Sequence, residues 1–399
     1  MEKINRRKFL KFSALAGAGA VVAPQMVAQT SVKGARAASV KPATDGKIPT
    51  RILGKTGMEI PVLSMGVMRA DNPAVVRAAY NSGLTHFDTA HGYQNGKNEE
   101  MLGVFFKDKD RSTFTIATKG KANLKSDNFE AEYEELLNTS LRRLQMDYVD
   151  IFYTHALDDV ESVSNPRMLA MLKKFKAEGK IRHIGFSTHA HKPEQIDEAI
   201  KTGVYEVCLV SYNFKLGILP ALNAAIQRGV DAGMGFVAMK TMVGGVENAS
   251  GDKKVDGAAC LRWVWQNPNI TTAIPGFTSF DLLENCLAAA HSPKLQQSDI
   301  QYLASLQNSD MLYCQNCGQC AKSCSKHLAT IPTIMRAYMY NFGYKNPALS
   351  KETLVELSLT GNECSGCSKC TVKCPSGFKV GDKIAAITPI VNVPDYFLA

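Results

Sequence analysis

Eight of the chain's eleven cysteines fall into two strings of identical spacing. Cys314, Cys317, Cys320 and Cys324 read C-x2-C-x2-C-x3-C, and Cys364, Cys367, Cys370 and Cys374 repeat it. This spacing lets a tight loop aim three thiolates at one small body, which is what an iron–sulfur cubane needs. The fourth cysteine of each string usually reaches across to the other cluster. The expected sets are therefore Cys314, Cys317 and Cys320 with Cys374, and Cys364, Cys367 and Cys370 with Cys324. Structural zinc and disulfides are the alternatives. Zinc sites typically use two C-x2-C knuckles and leave no third cysteine in each string. The spacing thus favours two 4Fe-4S clusters and makes the chain an electron carrier. Pro375 follows Cys374, whereas Ser325 follows Cys324.

The amino terminus carries a second signal. Asn5-Arg6-Arg7-Lys8-Phe9-Leu10-Lys11 is a twin-arginine motif, followed by a weakly apolar run from Phe12 to Ala23. That run is too short and too rich in Ala and Gly to span a bilayer. It fits the apolar region of an export signal, with Ala35-Arg36-Ala37 as a small-x-small cleavage site. Residues 1–37 read as a twin-arginine signal peptide. The expectation is a folded, cluster-loaded chain handed to the twin-arginine export machinery and delivered to the periplasm, with no membrane span in the mature chain. The formal charge of +9 lies mostly in this segment, which holds seven Lys/Arg and one Glu, so the remainder carries +3. A chain so near balance gives no electrostatic argument for nucleic acid. Its 45% hydrophobic content suffices for a large core and more than one domain. Cys208, Cys260 and Cys286 sit in apolar patterns and read as core filler.

From about residue 60 to 290, short apolar runs alternate with amphipathic segments. Strands are expected at 60–66, 86–90, 114–118, 148–154, 181–187, 205–211, 235–240 and 270–274, rich in Val, Ile, Phe or Tyr. Helical patterns lie between them, among them Asn128 to Leu144, Asn165 to Ala177 and Pro193 to Lys201. Gly179, Gly203 and Gly233 stand where left-handed helix caps belong. Eight such units predict an α/β fold, a closed parallel (β/α)8 TIM barrel. An open doubly wound sheet is the competitor, weakened because no G-x-G-x-x-G follows the first strand.

The chemistry of such a barrel gathers at the carboxyl ends of its strands. Those ends supply Asp88, Tyr93, Lys119 and His155. A phenol has an unperturbed pKa of about 10. A nearby ammonium favours phenolate and makes the tyrosine a better proton donor. Asp88 would hold Lys119 charged, and His155 would hydrogen-bond the substrate oxygen. The four suit hydride addition to a carbonyl, or its reverse.

Longer motifs carry a resemblance. Phe87-Asp88-Thr89-Ala90, Gly92-Tyr93 and Asn98-Glu99-Glu100-Met101-Leu102-Gly103 resemble the aldo-keto reductase signature. Ala117-Thr118-Lys119, Tyr153-Thr154-His155, Gly185-Phe186-Ser187 and Ile274-Pro275-Gly276 resemble further segments of that family, and Leu53-Gly54-Lys55-Thr56-Gly57 its opening hairpin. The resemblance covers about residues 50–290 and implies a barrel reductase with the tetrad Asp88, Tyr93, Lys119 and His155. Residues 291–312 read as a linker with a helix near Asp299 to Gln307. Residues 313–399 resemble the ferredoxin-like, mostly helical two-cluster extension of one branch of the family. Thirty-nine residues separate Cys324 from Cys364, and Ile334 to Asn341 among them reads as helix.

The family resemblance also implies NADP or NAD, bound near Ser187, Lys240, Gly276, Thr278, Ser279 and Asn285. Here the pattern departs. Gly276-Phe277-Thr278-Ser279-Phe280-Asp281-Leu282 contains no base to meet a 2′-phosphate. Thr278 and Ser279 can cradle a pyrophosphate at a helix N-terminus, though Ser279 equally fits a plain N-cap. Thr188 and Leu209 stand where the family has Asn and Gln. Lys240 is a new charge at the mouth, for substrate or phosphate, and His189 and His191 read as loop residues. The expected function is an exported oxidoreductase acting on a small-molecule carbonyl or alcohol, its clusters serving a redox partner protein. The alternative is an electron-transfer module whose barrel is a non-catalytic docking scaffold.

Overall fold

The computed structural model describes residues 47–157, 159–243, 255–307, 313–326, 328, 330–365, 367, 369–375 and 377–398. The twin-arginine segment and its cleavage site lie outside the described residues. Among those described, no helix is long and apolar enough to cross a membrane.

The chain opens with an antiparallel hairpin, β1 (Thr50–Ile52) and β2 (Glu59–Pro61). Eight parallel strands follow: β3 (Met65–Gly66), β4 (His86–Asp88), β5 (Thr115–Gly120), β6 (Val149–Thr154), β7 (Ile181–Thr188), β8 (Val207–Ser211), β9 (Gly235–Met239) and β10 (Thr272–Ala273). They pair in sequence order from β3 to β10, and bridges Leu63–Ala273 and Gly66–Gly276 close the ring. This is the expected barrel. The first expected strand, 60–66, divides into hairpin strand β2 and barrel strand β3. The seventh stops at Met239 because Lys240 takes a left-handed backbone, φ +57°.

Helices α1 (Pro73–Asn81), α2 (Lys97–Phe106), α3 (Phe129–Leu144), α4 (Val160–Val163), α5 (Pro166–Ala177), α6 (Lys192–Thr202), α7 (Leu219–Asp231), α8 (Gly257–Trp265) and α9 (Phe280–His291) surround the barrel. Local chemistry sets their ends. Asn72, Asp159, Asn165, Asp256 and Ser279 accept backbone N–H bonds at N-caps. Gly179, Gly203 and Gly233 all have positive φ, as left-handed caps require. Helix α3 buries Phe129, Tyr133, Leu137, Leu141 and Leu144, one face at three- and four-residue steps.

Period-two alternation divides each strand between two cores. Ile116, Phe152, Cys208 and Phe236 face the helices, while Ala117, Ile151, Tyr153, Val207, Leu209 and Val237 fill the barrel. Leu53 and Ile60 of the hairpin complete the inner cluster and plug the amino-terminal end. Gly54 makes that plug possible: a Cβ there would lie 2.4 Å from the Gly235 nitrogen. Cys208, Cys260 and Cys286 are buried, with thiols pushed up by burial, and act as core filler.

Helix α10 (Gln297–Gln307) packs Leu303 and Leu306 against Ala259 and Cys260 of α8. The cysteine-bearing region adds α11 (Ile331–Phe342), α12 (Pro347–Val355) and α13 (Val380–Ile387). Its own core joins Ile331, Ile334, Met335, Leu354, Val380, Ile384 and Ile387.

Arg51 ties the hairpin to the barrel's last unit. Its buried guanidinium donates to the carbonyls of Trp265, Asn267 and Ile270 at 2.9, 3.0 and 2.6 Å. Arg51→Met strands three carbonyls and is expected to cost about 3 kcal/mol. In a thermal scan of the holoprotein the midpoint should fall by roughly 6 °C or more; an unchanged midpoint would deny the tie its structural role.

Candidate active site

Lys119 lies two residues beyond Ala117 on β5, and His155 two beyond Tyr153, so both point into the barrel near its carboxyl end. Asp88 ends β4, which pairs with β5. The Lys119 ammonium donates to Asp88 Oδ1 at 2.6 Å and to the Thr89 carbonyl. It also reaches Tyr93 Oη at 3.4 Å. The Tyr93 and His155 rings stand edge to face, centroids 5.8 Å apart. The four residues of the expected tetrad therefore meet. Lys119 and Asp88 are buried, whereas Tyr93 and His155 keep part of their surface open.

Tyr93 is presented by a strained turn: Gln94 and Asn95 have φ of 50° and 54°. The segment after it braces the site. Asn98 Oδ1 accepts from Thr89 Oγ1 at 2.8 Å, and its amide donates to the Val67 carbonyl at 2.7 Å. Glu99 accepts from Thr118 Oγ1 at 2.6 Å and pairs with Arg143 at 3.4 Å. Gly103 lets α2 approach α3, since a Cβ there would lie 2.3 Å from the Arg143 carbonyl.

Burial governs the charges. It lowers Lys119 from its ordinary value, and Asp88 offsets part of that. It raises Asp88 against the opposing pull of Lys119. It holds Tyr93 well above the ordinary phenol value, reinforced by Asp88, Tyr340 and Tyr344. His155 is held well below the ordinary imidazole value by burial and then by Lys119, Lys121, Arg336 and Lys240. The phenol is therefore protonated and the imidazole neutral near pH 7. The expected drift of Tyr93 toward phenolate is absent, because burial and then the Asp88 charge outweigh an ammonium 3.4 Å away.

Several residues expected at a dinucleotide make hydrogen bonds within the chain, while Gly276, Thr278 and Ser279 are exposed. Ser187 Oγ accepts from the Ala156 N–H at 2.8 Å. Ser279 caps α9 by accepting from the Leu282 N–H, and Asn285 Oδ1 accepts from the Ala258 N–H at 3.1 Å. Gly276 bridges Gly66 at the barrel seam, and Thr278 is exposed. Leu209 is barrel core, and Thr188 donates to the Ala190 carbonyl. Lys240 donates to Tyr344 Oη at 3.1 Å. These residues, with no base in 276–282, do not fit a 2′-phosphate.

The cysteines form the crossed sets. Cys314, Cys317, Cys320 and Cys374 line one cavity of about 100 Å3. Cys324, Cys364, Cys367 and Cys370 line another of about 210 Å3. Each holds several times a water's share of about 30 Å3. Among the described residues no group of three Cys, His, Asp or Glu suits a single ion. Four thiols lining one such cavity suit the four irons of a cubane. Ser325 replaces a proline for a local reason: its N–H donates to Thr371 Oγ1 at 2.9 Å, a bond proline cannot make.

The first cysteine loop sits on the barrel rim. Gln315 Oε1 accepts from Asn213 Nδ2 at 2.7 Å, and Gln315 Nε2 donates to the Val243 carbonyl at 3.1 Å. Lys192 donates to the carbonyls of Gln315 and Asn316. Tyr340 and Tyr344 lie within electrostatic reach of Tyr93, and Arg69 stacks 4.9 Å from the Tyr344 centroid. Cys367 and Cys370 are exposed, so the second set faces solvent. Sequence reasoning missed Tyr340, Tyr344, Arg336 and Lys192. The crowding of tyrosines over 338–344 was the available signal. His189, expected as a loop residue close to the mouth, follows β7 in a bend, 6% exposed and within electrostatic reach of His155.

A parallel barrel with a lysine–aspartate pair under a tyrosine, joined to two four-cysteine cavities, defines an iron–sulfur oxidoreductase. Residues 63–257 match the aldo/keto reductase family, and residues 313–379 match a 4Fe-4S dicluster domain. A probable aldo-keto reductase 1 from Glycine max is 27% identical over 309 residues, covering 65% of this chain and 88% of that protein. L-galactose dehydrogenase from Arabidopsis thaliana is 35% identical over 159 residues, 35% of this chain and 49% of that enzyme. L-glyceraldehyde 3-phosphate reductase from Escherichia coli is 28% identical over 174 residues, 39% of this chain and 49% of that enzyme. The chain thus spans about half the length of the latter two. An aldo-keto reductase structure from Bacillus halodurans shares the fold, with TM-score 0.54 and 20% identity over 64% of this chain and 95% of that one.

Crossed ligation has a genetic signature. Cys374→Ala should empty the first set alone and Cys324→Ala the second alone, each dropping iron from about eight to about four per chain. Cys324→Ala combined with Cys364→Ala should lose no more than either single change, while Cys374→Ala with Cys364→Ala should lose nearly all. Iron analysis of anaerobically purified variants reads the outcome, and the opposite pattern would mean each string binds its own cluster.

Proposed function

We propose that the protein is an exported oxidoreductase that interconverts a carbonyl and an alcohol on a sugar or sugar-like compound, exchanging electrons through its clusters with a redox partner protein. The carrying observation is the buried Lys119–Asp88 pair placed beneath Tyr93 and beside His155. In the reducing direction the carbonyl carbon gains one hydride, that is two electrons and one proton, and the oxygen gains the Tyr93 proton. Lys119 stabilises the phenolate left behind, and Asp88 keeps Lys119 charged. Neutral His155 donates a hydrogen bond to the same oxygen. The names of two relatives, a galactose dehydrogenase and a glyceraldehyde-phosphate reductase, support a sugar-like substrate. The family match favours a nicotinamide dinucleotide as two-electron partner. With no base in 276–282, NAD is the better candidate than NADP.

Export is proposed from Arg6 and Arg7 and would place the chain in the periplasm. Cell fractionation tests it: the double change Arg6→Lys, Arg7→Lys should leave the chain in the cytoplasm, and unchanged export would reject the signal. For the chemistry, Tyr93→Phe should lower turnover at least about a hundredfold with both clusters retained. Undiminished turnover would remove the tetrad from catalysis and leave the barrel a docking scaffold.

A further inference from the structure

Positive charge accumulates where the cluster domain meets the barrel mouth. Lys240 leaves β9 in a left-handed conformation, one that a residue with a side chain adopts only when its surroundings hold it there. Asn213 Nδ2 fixes its carbonyl at 3.1 Å. Its ammonium bonds the Tyr344 hydroxyl at 3.1 Å and lies 5.0 Å from that ring and 5.6 Å from Tyr340. Arg69 covers Tyr344, and Arg336 faces both His155 and His189. The described carboxylates nearby are engaged elsewhere: Asp88 by Lys119, Glu99 by Arg143, Glu352 and Glu356 by Lys121. Among the described residues none pairs with Lys240. A half-buried ammonium with only a phenol for company gains strongly from an oxyanion, because a low-dielectric crevice magnifies the attraction.

We propose that Lys240 and Tyr344, brought together across the domain junction, form an oxyanion subsite that receives a carboxylate or phosphate group of the substrate beside the carbon served by Tyr93. The proposal rests on the carbonyl–alcohol reading of the tetrad for its placement. The ammonium and the phenol both donate, so they converge on one anionic group. His155 and His189, held neutral by burial and by the neighbouring cations, add no competing charge. A substrate of this kind is an acidic or phosphorylated hydroxy-carbonyl compound, and the barrel alone cannot hold it, since Tyr344 belongs to the cluster domain.

The test is calorimetric titration of anaerobically purified holoprotein with acetate and with inorganic phosphate. Saturable binding of at least one is expected, weakened tenfold or more in Lys240→Gln and several-fold in Tyr344→Phe. Unaltered iron content shows that each variant is folded, and Lys174→Gln, on the barrel's exterior, should match wild type. Tighter acetate binding marks a carboxylate substrate, and tighter phosphate binding a phosphorylated one. No saturable binding to wild type, or equal binding by Lys240→Gln and Tyr344→Phe, would overturn the proposal. Binding needs no turnover and should persist in Tyr93→Phe, so failure of the subsite and failure of the tetrad chemistry are read separately.

Discussion

The site depends on one buried ion pair. An ammonium inside a barrel is costly unless a carboxylate and further acceptors surround it. Lys119 has Asp88 and the Thr89 carbonyl. Those partners come from β4, the neighbour of β5, so pairing the two strands also assembles the charge site. Asn98 and Glu99 then clamp Thr89 and Thr118 from α2. The residues that mark the family in sequence are thus fixing the pair that serves Tyr93, and removing either charge would leave the other buried alone.

The cluster domain gives this site a second wall. Its first cysteine loop is bonded to Asn213, Val243 and Lys192 on the rim, while the second set opens to solvent through Cys367 and Cys370. That polarity suits electrons passing between an outside partner, the exposed set and the set beside the barrel. The thirty-nine residues between the cysteine strings are spent on α11 and α12, which bring Tyr340, Tyr344, Glu352 and Glu356 to the mouth.

Much of this was legible in the chain. Short continuous apolar runs rich in Val, Ile, Phe or Tyr marked all eight strands, because a parallel barrel buries both strand faces. Cysteine spacing foretold the crossed sets, since loop geometry is local. The tetrad was legible because strand ends of a barrel converge. At the nucleotide residues the N-cap reading of Ser279 is realised, and Asn285 likewise accepts a nearby backbone N–H, as short polar side chains readily do. The junction was not legible. Lys240 and Tyr344 are 104 residues apart, and no periodicity links a lysine on a barrel rim to a tyrosine past the end of a distant helix.

Asp88, Tyr93, Lys119 and His155 meet, while residues 276–282 offer no base to a 2′-phosphate. Denaturing anaerobically purified, cluster-loaded protein and identifying any released nucleotide tests this most directly, with NADPH titrated against a second sample. No NADP or NADPH is expected in the supernatant and no saturable NADPH binding, with NAD the dinucleotide favoured by the absence of a base in 276–282. Stoichiometric NADP release, or tight NADPH binding, would contradict that expectation.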